Sequence, residues 1–400
     1  MSRPTTPVAA GHVQGLDLLR AVAILSVVIH HGNYILPEGV SAMTENLLVN
    51  GVTAFFVLSG FLIGGMLIRS LERERPTLRG LYSFWVRRWM RTLPAYFVVL
   101  TILAALALIA GSHDLRTILP YYVFTQNLWY GHPTFFPEAW SLSIQQWFYI
   151  VFPAILFLLV GAFRTKPRMT VLATATVLLI ACAFLRYLQY ANWPGPITIN
   201  DLSQMFRKPV VMRWDSMMIG VLGAYCAHYR NDLWYKTPRT SLFIGVLALV
   251  VLDQIGHYDE RHGIGFFACV PSFDLTSLAI LMLIPFLERF HFTSKPFQRA
   301  IVTVANASYS IYLVHLSLVQ FKFVNHVVPK LLSITGIEPG QGVMTVINYA
   351  GYWIFTMVAA LLLHRLVELP FMRLRDKTPN GPQASPSGPS ALVQAGIRQR

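Results

Sequence analysis

The sequence predicts an all-α integral membrane protein that crosses the bilayer about ten times, with both termini in the cytoplasm. Of its 400 residues, 54% are hydrophobic and only 12% are charged, and the mean hydropathy is +0.51. Soluble domains of this length rarely have such a composition. Apolar stretches long enough to cross about 30 Å of hydrocarbon recur along nearly the whole chain. The fold class therefore follows from composition and from the spacing of these stretches.

Ten apolar stretches are predicted to form the transmembrane helices, namely 16–34, 47–68, 93–111, 146–163, 169–187, 211–229, 240–255, 267–288, 301–320 and 343–367. Residues 1–375 then form one transmembrane domain. Residues 376–400 are rich in Pro, Ser and Gly and cannot bury enough apolar surface to order themselves. They are predicted to be a disordered cytoplasmic tail.

The basic residues predict which loops face the cytoplasm, because Lys and Arg collect in cytoplasmic loops. The loops after the second, fourth, sixth and eighth spans are rich in them: Arg69, Arg73, Arg75, Arg79, Arg87, Arg88 and Arg91, then Arg164, Lys166 and Arg168, then Arg230, Lys236 and Arg239, then Arg289, Lys295 and Arg299. The intervening loops carry fewer. The formal net charge of +14 thus follows from topology and from attraction to anionic lipid headgroups, and does not predict nucleic-acid binding.

Cysteine usage predicts neither a metal site nor a disulfide framework. Cys182, Cys226 and Cys269 fall inside apolar spans and lack the spacing of metal ligands. They are also odd in number, so they are expected to be small core residues.

Arg20 and His31 lie in the first predicted span, where ionisable side chains are rare and usually functional. Their separation amounts to three helical turns plus about 20°, so both project from one face, about 16 Å apart along the axis. An imidazole can exchange protons near neutral pH. His30 points about 100° away from this face and is expected to be a neighbour of His31 rather than the residue that exchanges protons.

Six segments carry a family resemblance: GLDLLRAVAIL followed by His31, NGVTAFFVLSGFLI, RRWMRTLPAYF, AWSLSIQQWFYIVFP, RWDSMMIG and SYSIYLVH. In this order and spacing they resemble the acyltransferase 3 family of integral membrane O-acyltransferases, over residues 13–371. The resemblance implies an enzyme of the inner (plasma) membrane that uses acetyl-CoA or another acyl-CoA and no metal. It implies transfer of the acyl group, usually acetyl, to a carbohydrate hydroxyl at the outer face.

The resemblance also implies roles for the basic residues. Arg20 and His31 match the family's catalytic arginine and histidine. His31 would take a proton from the attacking hydroxyl and return it to the leaving thiolate, and a covalent acyl-histidine is the alternative. Arg87, Arg88 and Arg91 match the family's basic motif, and guanidinium groups suit the phosphates of CoA. Topological anchoring is the other interpretation of these three arginines.

The fourth span departs from the family pattern. Relatives commonly carry one or two glutamates where this chain has Gln145 and Gln146. An amide can form hydrogen bonds with a sugar or a histidine, but it cannot hold a negative charge. Either the carboxylate is dispensable, or Glu138, Asp17 or Asp215 supplies the charge, or activity is altered.

The remaining predicted substrate-binding residues are polar or aromatic. Arg213 and Asp215 are expected to form an intramembrane charge network. His315, with Tyr309 and Tyr312 on the same span, is expected to line a cavity or to cap the external end of its helix. The aromatic residues Trp129, Tyr130, Phe135 and Phe136 would stack on sugar rings or form an interfacial belt. The full set of predicted substrate-binding residues is Trp140, Ser141, Gln145, Gln146, Tyr149, Arg213, Asp215 and His315.

The expected function is acyl transfer to a cell-surface or lipid-linked carbohydrate, such as a lipopolysaccharide or exopolysaccharide. One alternative is transfer to a small secondary metabolite such as a macrolide sugar, or use of a longer or dicarboxylic acyl-CoA. Another is transport without catalysis, although no inverted repeat is visible in the sequence. An esterase-type step outside the membrane would require a separate periplasmic partner.

Overall fold

The computed structural model describes residues 13–45, 50–335 and 340–376. Nearly all of the predicted cytoplasmic tail lies outside these residues. Within them the chain contains helices and no strand, which confirms the all-α fold class. Ten helices occupy the predicted spans: α1 (Gln14–Gly32), α2 (Gly51–Arg73), α3 (Leu78–Ile109), α4 (Ala139–Gly161), α5 (Pro167–Ala191), α6 (Asp215–Tyr229), α7 (Pro238–His262), α8 (Pro271–Leu281), α9 (Lys295–Val314) and α10 (Gln341–Leu363).

Shorter helical segments connect or extend these ten. The α and 3₁₀ segments are Asn33–Ile35, Glu38–Glu45, Leu115–Tyr122, Ile199–Asp201, Val210–Met212, Asn231–Trp234, Phe266–Cys269, Ile284–Leu287, Val328–Thr335 and Leu369–Asp376. Three segments are π-helical: Leu202–Arg207, His315–Val327 and His364–Glu368. π-Helices are rare and occur frequently at functional sites.

The number of full spans differs from the sequence prediction. Eight helices, rather than ten, are long and apolar enough to cross a membrane by length and composition among the described residues. The exceptions are α6, which has 15 residues, and α8, which belongs to the shorter apolar segment Pro271–Leu287. Both are packed between longer helices, and α6 contacts α2, α5 and α8. Their apolar composition therefore comes from burial inside the bundle, which a hydropathy pattern does not distinguish from a full span.

The arginine-rich segment between the second and third predicted spans is mostly helical rather than a loop. α3 begins at Leu78, about four turns before the predicted start at residue 93. The Thr77 side chain accepts a hydrogen bond from the Gly80 N–H at 3.1 Å and caps the helix. Arginine is a good helix former, so α3 carries Arg88 and Arg91 at fixed positions within the bundle. The orientation of the termini stays a prediction.

Close backbone contact between α2 and α6 forms the most extensive helix pair. A Cβ atom at Gly60 would lie 1.9 Å from the Met217 carbonyl oxygen, and one at Gly220 would lie 2.2 Å from the Val57 carbonyl oxygen. Glycine spacing of this kind, Gly60 with Gly64, lets membrane helices approach backbone to backbone. The pair places α2 beside α4 and thereby forms one wall of the site described below.

The bundle has a peripheral helix whose side chains face outward. Side chains of α7 such as Phe243, Leu247 and Val250 are exposed, as expected for a helix surrounded by lipid. The central helices α1, α2, α4 and α9 instead bury their apolar faces against one another and against α3 and α6. Their polar side chains meet in the middle of the bundle.

We predict that Gly60→Ala lowers the thermal stability of the purified protein in detergent. The new methyl group meets the Met217 carbonyl, and overpacking of this kind costs typically about 1–3 kcal/mol. Gly256→Ala is the matched control, because a Cβ atom there meets nothing within 4 Å. A Gly60→Ala protein that unfolds at the same temperature as the Gly256→Ala protein would contradict the close packing of α2 and α6.

Candidate functional site

A cavity lies between α1, α2, α3, α4 and α9. Apolar side chains from α2, such as Phe55, Phe56 and Leu62, form much of one wall. The other walls carry cations, hydroxyl groups and one amide. Apolar pockets with a few convergent polar groups are typical ligand sites.

Three arginines provide the positive charge of the cavity. Arg20 Nη1 donates to Asp17 Oδ1 at 2.9 Å. Arg88 Nη2 donates to the Tyr149 hydroxyl at 2.8 Å, and its guanidinium lies 4.4 Å from the centre of that ring. Arg91 lines the cavity without an ion pair to any residue in the described part of the chain. The cavity therefore presents more positive charge than its own residues neutralise.

The cavity includes Arg88 and Arg91 but not Arg87. Consecutive helical residues point about 100° apart, so Arg87 faces away when Arg88 faces the cavity. Arg88 and Arg91, two of the three arginines that the sequence assigns to binding of acyl-CoA, thus lie on one wall of the cavity.

Gln145 and Gln146 act as hydrogen-bond donors to hydroxyl groups of neighbouring helices. Gln145 lines the cavity, and its Nε2 donates to Ser59 Oγ at 2.7 Å. Gln146 Nε2 donates to Thr92 Oγ1 at 3.1 Å, while its buried Oε1 has no partner among the described residues. The amides therefore connect α4 to α2 and α3 through bonds in which a carboxylate could not be the donor.

A hydrogen-bonded chain of hydroxyl groups forms another part of the wall. The hydroxyl oxygens of Ser141 and Tyr312 are 2.7 Å apart, and the Tyr312 hydroxyl donates to the Glu138 carbonyl oxygen at 3.0 Å. The Glu138 carboxylate accepts from the Ser317 N–H at 3.0 Å and from its hydroxyl at 2.6 Å. Ser141 and Tyr312 thus contact the cavity, and Glu138 lies behind them.

His31 and His315 form a direct side-chain pair between α1 and the start of the π-helix after α9. The distance from His31 Nδ1 to His315 Nε2 is 2.9 Å, and His315 Nδ1 lies 2.8 Å from the Tyr312 carbonyl oxygen. His31 does not itself line the cavity. It is connected to the cavity through His315, whose ring centre lies 5.6 Å from that of Tyr312.

The Tyr312 carbonyl group fixes the positions of the ring protons of His31 and His315 when both rings are neutral. A carbonyl oxygen only accepts, so His315 Nδ1 carries the proton and His315 Nε2 accepts. His31 Nδ1 must then donate, which leaves the lone pair of His31 on Nε2. The hydrogen-bond network thus assigns the tautomer, and His315 is a partner of the histidine rather than a cap of its helix.

None of the three alternative acids forms a hydrogen bond with His31 among the described residues. Asp17 pairs with Arg20, Glu138 accepts from Ser317, and Asp215 pairs with Arg186 at 2.6 Å. His30 is exposed on the outside of the bundle. The geometry therefore singles out His31 as the oriented imidazole.

Arg213 and Asp215 belong to a buried charge network that lies away from the cavity lining. Arg186 is fully buried and bridges Asp215 at 2.6 Å and Asp274 at 2.8 Å, and Arg213 lies 3.6 Å from Asp215. The predicted network exists, but it joins α5, α6 and α8 and leaves Asp215 no free oxygen for a substrate. Arg186 was missed by the sequence analysis, although an arginine inside the fifth apolar span was the signal for it.

The predicted aromatic contacts are dispersed. Trp140 does not line the cavity and instead packs against Phe56 with ring centres 6.2 Å apart. Trp129 and Tyr130 are exposed, and Phe136 is fully buried. Tyr149, by contrast, lines the cavity beside Arg88.

A family model described as an acyltransferase domain, Acyl_transf_3, matches residues 13–365. The chain is 26% identical over 385 residues to "Putative O-acetyltransferase SACOL0978" of Staphylococcus aureus strain COL, covering 90% of this chain and 58% of that protein. It is 24% identical over 383 residues to "O-acetyltransferase OatA" of Staphylococcus aureus strain NCTC 8325, covering 90% and 57%. The "Putative peptidoglycan O-acetyltransferase YrhL" of Bacillus subtilis is 29% identical over 200 residues, covering 46% and 30%.

This chain thus spans less than two thirds of the length of these relatives. No solved structure matches the chain.

We predict that the ring proton of neutral His31 resides on Nδ1, and that His315→Ala removes this preference because the acceptor is lost. The measurement is ¹⁵N NMR of protein labelled with ring-¹⁵N histidine at pH 8, where an ordinary imidazole is neutral. The spectrum of a His31→Ala protein assigns the signals. His30→Ala is the control: it removes a ring whose centre lies 5.4 Å from that of His31 and should keep the His31 proton on Nδ1. A proton found on Nε2 of His31 in the unaltered protein would refute the assigned tautomer.

Proposed function

The chain belongs to the acyltransferase 3 family, and we propose that it is a membrane O-acetyltransferase that uses acyl-CoA as donor and a carbohydrate hydroxyl as acceptor. The observation that carries the proposal is the coexistence of a cationic cavity with an imidazole whose lone pair is oriented by a second histidine. Acyl transfer from a thioester needs an anion-binding site for CoA and a group that moves a proton or the acyl group itself.

Acyl-CoA carries a diphosphate, and guanidinium groups bind phosphate oxygens through charge-assisted hydrogen bonds. Arg91 supports this assignment most directly, because its donors are not already used by a carboxylate. Arg20 and Arg88 contribute charge while their positions are fixed by Asp17 and Tyr149. The donor is therefore proposed to bind with its phosphates at these arginines.

Nε2 of His31 can take part in the transfer by either of two routes. As a base, it accepts the proton of the sugar hydroxyl while the hydroxyl oxygen attacks the thioester carbonyl. The C–S bond then breaks, and the proton passes to the leaving thiolate. As a nucleophile, Nε2 attacks the carbonyl, and the C–S bond breaks to release the thiolate. In a second step the sugar hydroxyl attacks the acyl-imidazole, the bond between the acyl carbon and Nε2 breaks, and the hydroxyl proton passes to the thiolate. Both routes need the lone pair on Nε2, and the His315 contact supports that tautomer.

The acceptor is proposed to be a hydroxyl of a cell-surface or lipid-linked glycan, and the enzyme is proposed to act in the plasma membrane. The name of the Bacillus relative includes peptidoglycan, which makes a cell-wall glycan one member of this class. A separate protein outside the membrane that assists delivery is part of the same proposal.

We predict that His31→Ala abolishes acetyl transfer, with a loss of at least about 100-fold, because the group that moves the proton or the acyl group is removed. His30→Ala is the matched control, since it deletes the adjacent imidazole that faces outward. Both variants should reach the membrane in normal amounts. Transfer of radiolabelled acetyl from acetyl-CoA to glycans of isolated membranes is the measurement. Retained transfer by His31→Ala together with loss in His30→Ala would contradict the assignment.

We also predict that Arg91→Gln raises the KM for acetyl-CoA by about 10- to 100-fold, the range expected for one lost charge-assisted contact. Arg87→Gln makes the same change of charge on the same helix but outside the cavity, and its KM should be close to that of the unaltered protein. The KM for the acceptor should change in neither variant. If both variants raise the donor KM equally, general surface charge rather than a specific contact attracts the donor.

A further inference from the structure

A second cavity lies at the far end of α3 from the arginine cluster. Its lining includes Leu103 of α3, which is about 18 Å along the helix from Arg91. The residues just beyond α3, the loop around Phe135, and the π-helix His315–Val327 complete the lining. The two cavities share no lining residue, so the second one is a separate site.

The lining combines aromatic faces with hydrogen-bonding groups. The rings of Phe135 and Phe321 form the apolar part. The lining also contains the hydroxyl groups of Ser112 and Thr134 and the imidazole of His113. The Ser112 hydroxyl donates to the Ala107 carbonyl oxygen at 3.3 Å and lies 3.3 Å from His113 Nδ1, so His113 Nε2 and the Thr134 hydroxyl are the groups of this set that can form hydrogen bonds with a ligand. Aromatic surfaces beside such groups match the two kinds of surface on a sugar, namely the C–H faces of its ring and its hydroxyl groups.

The cavity also holds a positive charge that the described residues leave unneutralised. Lys322 lines the cavity, and its ammonium group forms no ion pair with any carboxylate in the described part of the chain. The nearby Glu138 carboxylate is buried and accepts both donors of Ser317, so it does not pair with Lys322. An ammonium group in this position favours an anionic ligand.

The π-helix connects this cavity to the histidine pair. His315 and Gln320 face α1, where Gln320 Nε2 donates to the His31 carbonyl oxygen at 3.0 Å. Ser317, Phe321 and Lys322 of the same segment line the second cavity. One element therefore contacts both the proposed reacting imidazole and the second cavity.

We propose that this second cavity binds an anionic glycan segment, with Phe321 against a sugar ring and Lys322 on a carboxylate or phosphate of the glycan. The role as acceptor subsite rests on the proposed function, whereas the binding itself does not. The second cavity would bind one segment of the acceptor glycan while the hydroxyl that receives the acyl group, on another segment, reacts at His31.

The test measures binding of three probes of equal length to the purified full chain in nanodiscs of phosphatidylcholine. The probes are maltohexaose, its 6-phosphate and maltohexaonate, which distinguish a neutral, a phosphorylated and a carboxylated glycan. At low salt, at least one anionic probe should bind about 10-fold tighter than maltohexaose, and the tighter probe identifies the preferred anion. Equal binding of all three probes, or binding of none, would overturn the proposal.

Variants separate the charge from the aromatic contact. Lys322→Gln should abolish the preference for the anionic probe. Arg116→Gln removes an exposed charge from the short helix Leu115–Tyr122, outside the cavity lining, and it should keep the preference. Phe321→Leu should weaken the binding of the neutral probe and of the anionic probes by the same factor. A preference that survives Lys322→Gln, or that is lost equally in Arg116→Gln, would overturn the assignment.

Two further arms separate this site from a lipid contact and from the proposed function. If phosphatidylglycerol in the nanodisc displaces the anionic probe, and Lys322→Gln removes that displacement, the cation binds a lipid headgroup and the glycan assignment fails. Binding of acetyl-CoA is measured on the same preparations. Acetyl-CoA binding without glycan binding overturns only this inference, whereas glycan binding without acetyl-CoA binding overturns only the proposed function.

Discussion

An ionisable side chain inside an apolar helix bundle must be paired, because removing an unpaired charge from water is expensive. Arg186 shows the consequence for the fold. Its guanidinium bridges Asp215 and Asp274, and this contact ties the two short helices α6 and α8 to the long helix α5. Removal of one partner from a buried ion pair strongly destabilises the folded protein, because it leaves an uncompensated charge. The relative positions of these three helices therefore depend on this network. The close packing of α2 against α6 at Gly60 and Gly220 then fixes the position of α2, which forms one wall of the cavity.

The same requirement is only partly met around the central cavity. Arg20 has Asp17 and Arg88 has the Tyr149 hydroxyl, but Arg91 lines the cavity with no carboxylate partner among the described residues. A cavity that leaves positive charge unmatched is suited to an anionic ligand that supplies the missing partner. The Arg186 guanidinium, by contrast, is paired with two carboxylates of the bundle itself, those of Asp215 and Asp274.

The sequence could predict the helices and the residues of the site that lie within one helix, but not the contacts that cross the bundle. The shared face of Arg20 and His31 follows from helical periodicity alone. The contact of His31 with His315 joins residues 284 positions apart in the chain, and no local pattern specifies it. Hydropathy likewise identified α6 and α8 but assigned them full spans, because a helix buried in protein and one buried in lipid have similar compositions. Arg87 was grouped with Arg88 and Arg91 because all three match the family's basic motif, whereas only Arg88 and Arg91 line the cavity.

The amides of the fourth span, which depart from the family pattern, are consistent with the local geometry. Gln145 and Gln146 donate to Ser59 and Thr92, and the Tyr149 hydroxyl, which holds Arg88, also donates to Ser59 at 3.2 Å. A carboxylate at either position would bring a negative charge close to Arg88 and offset part of the positive charge of the cavity. The neutral amides keep the interhelical contacts while leaving that charge to an incoming anion. Glutamine at these positions thus adds no negative charge beside the arginines, and among the described residues the side chain of His31 has its hydrogen bond with His315 rather than with α4.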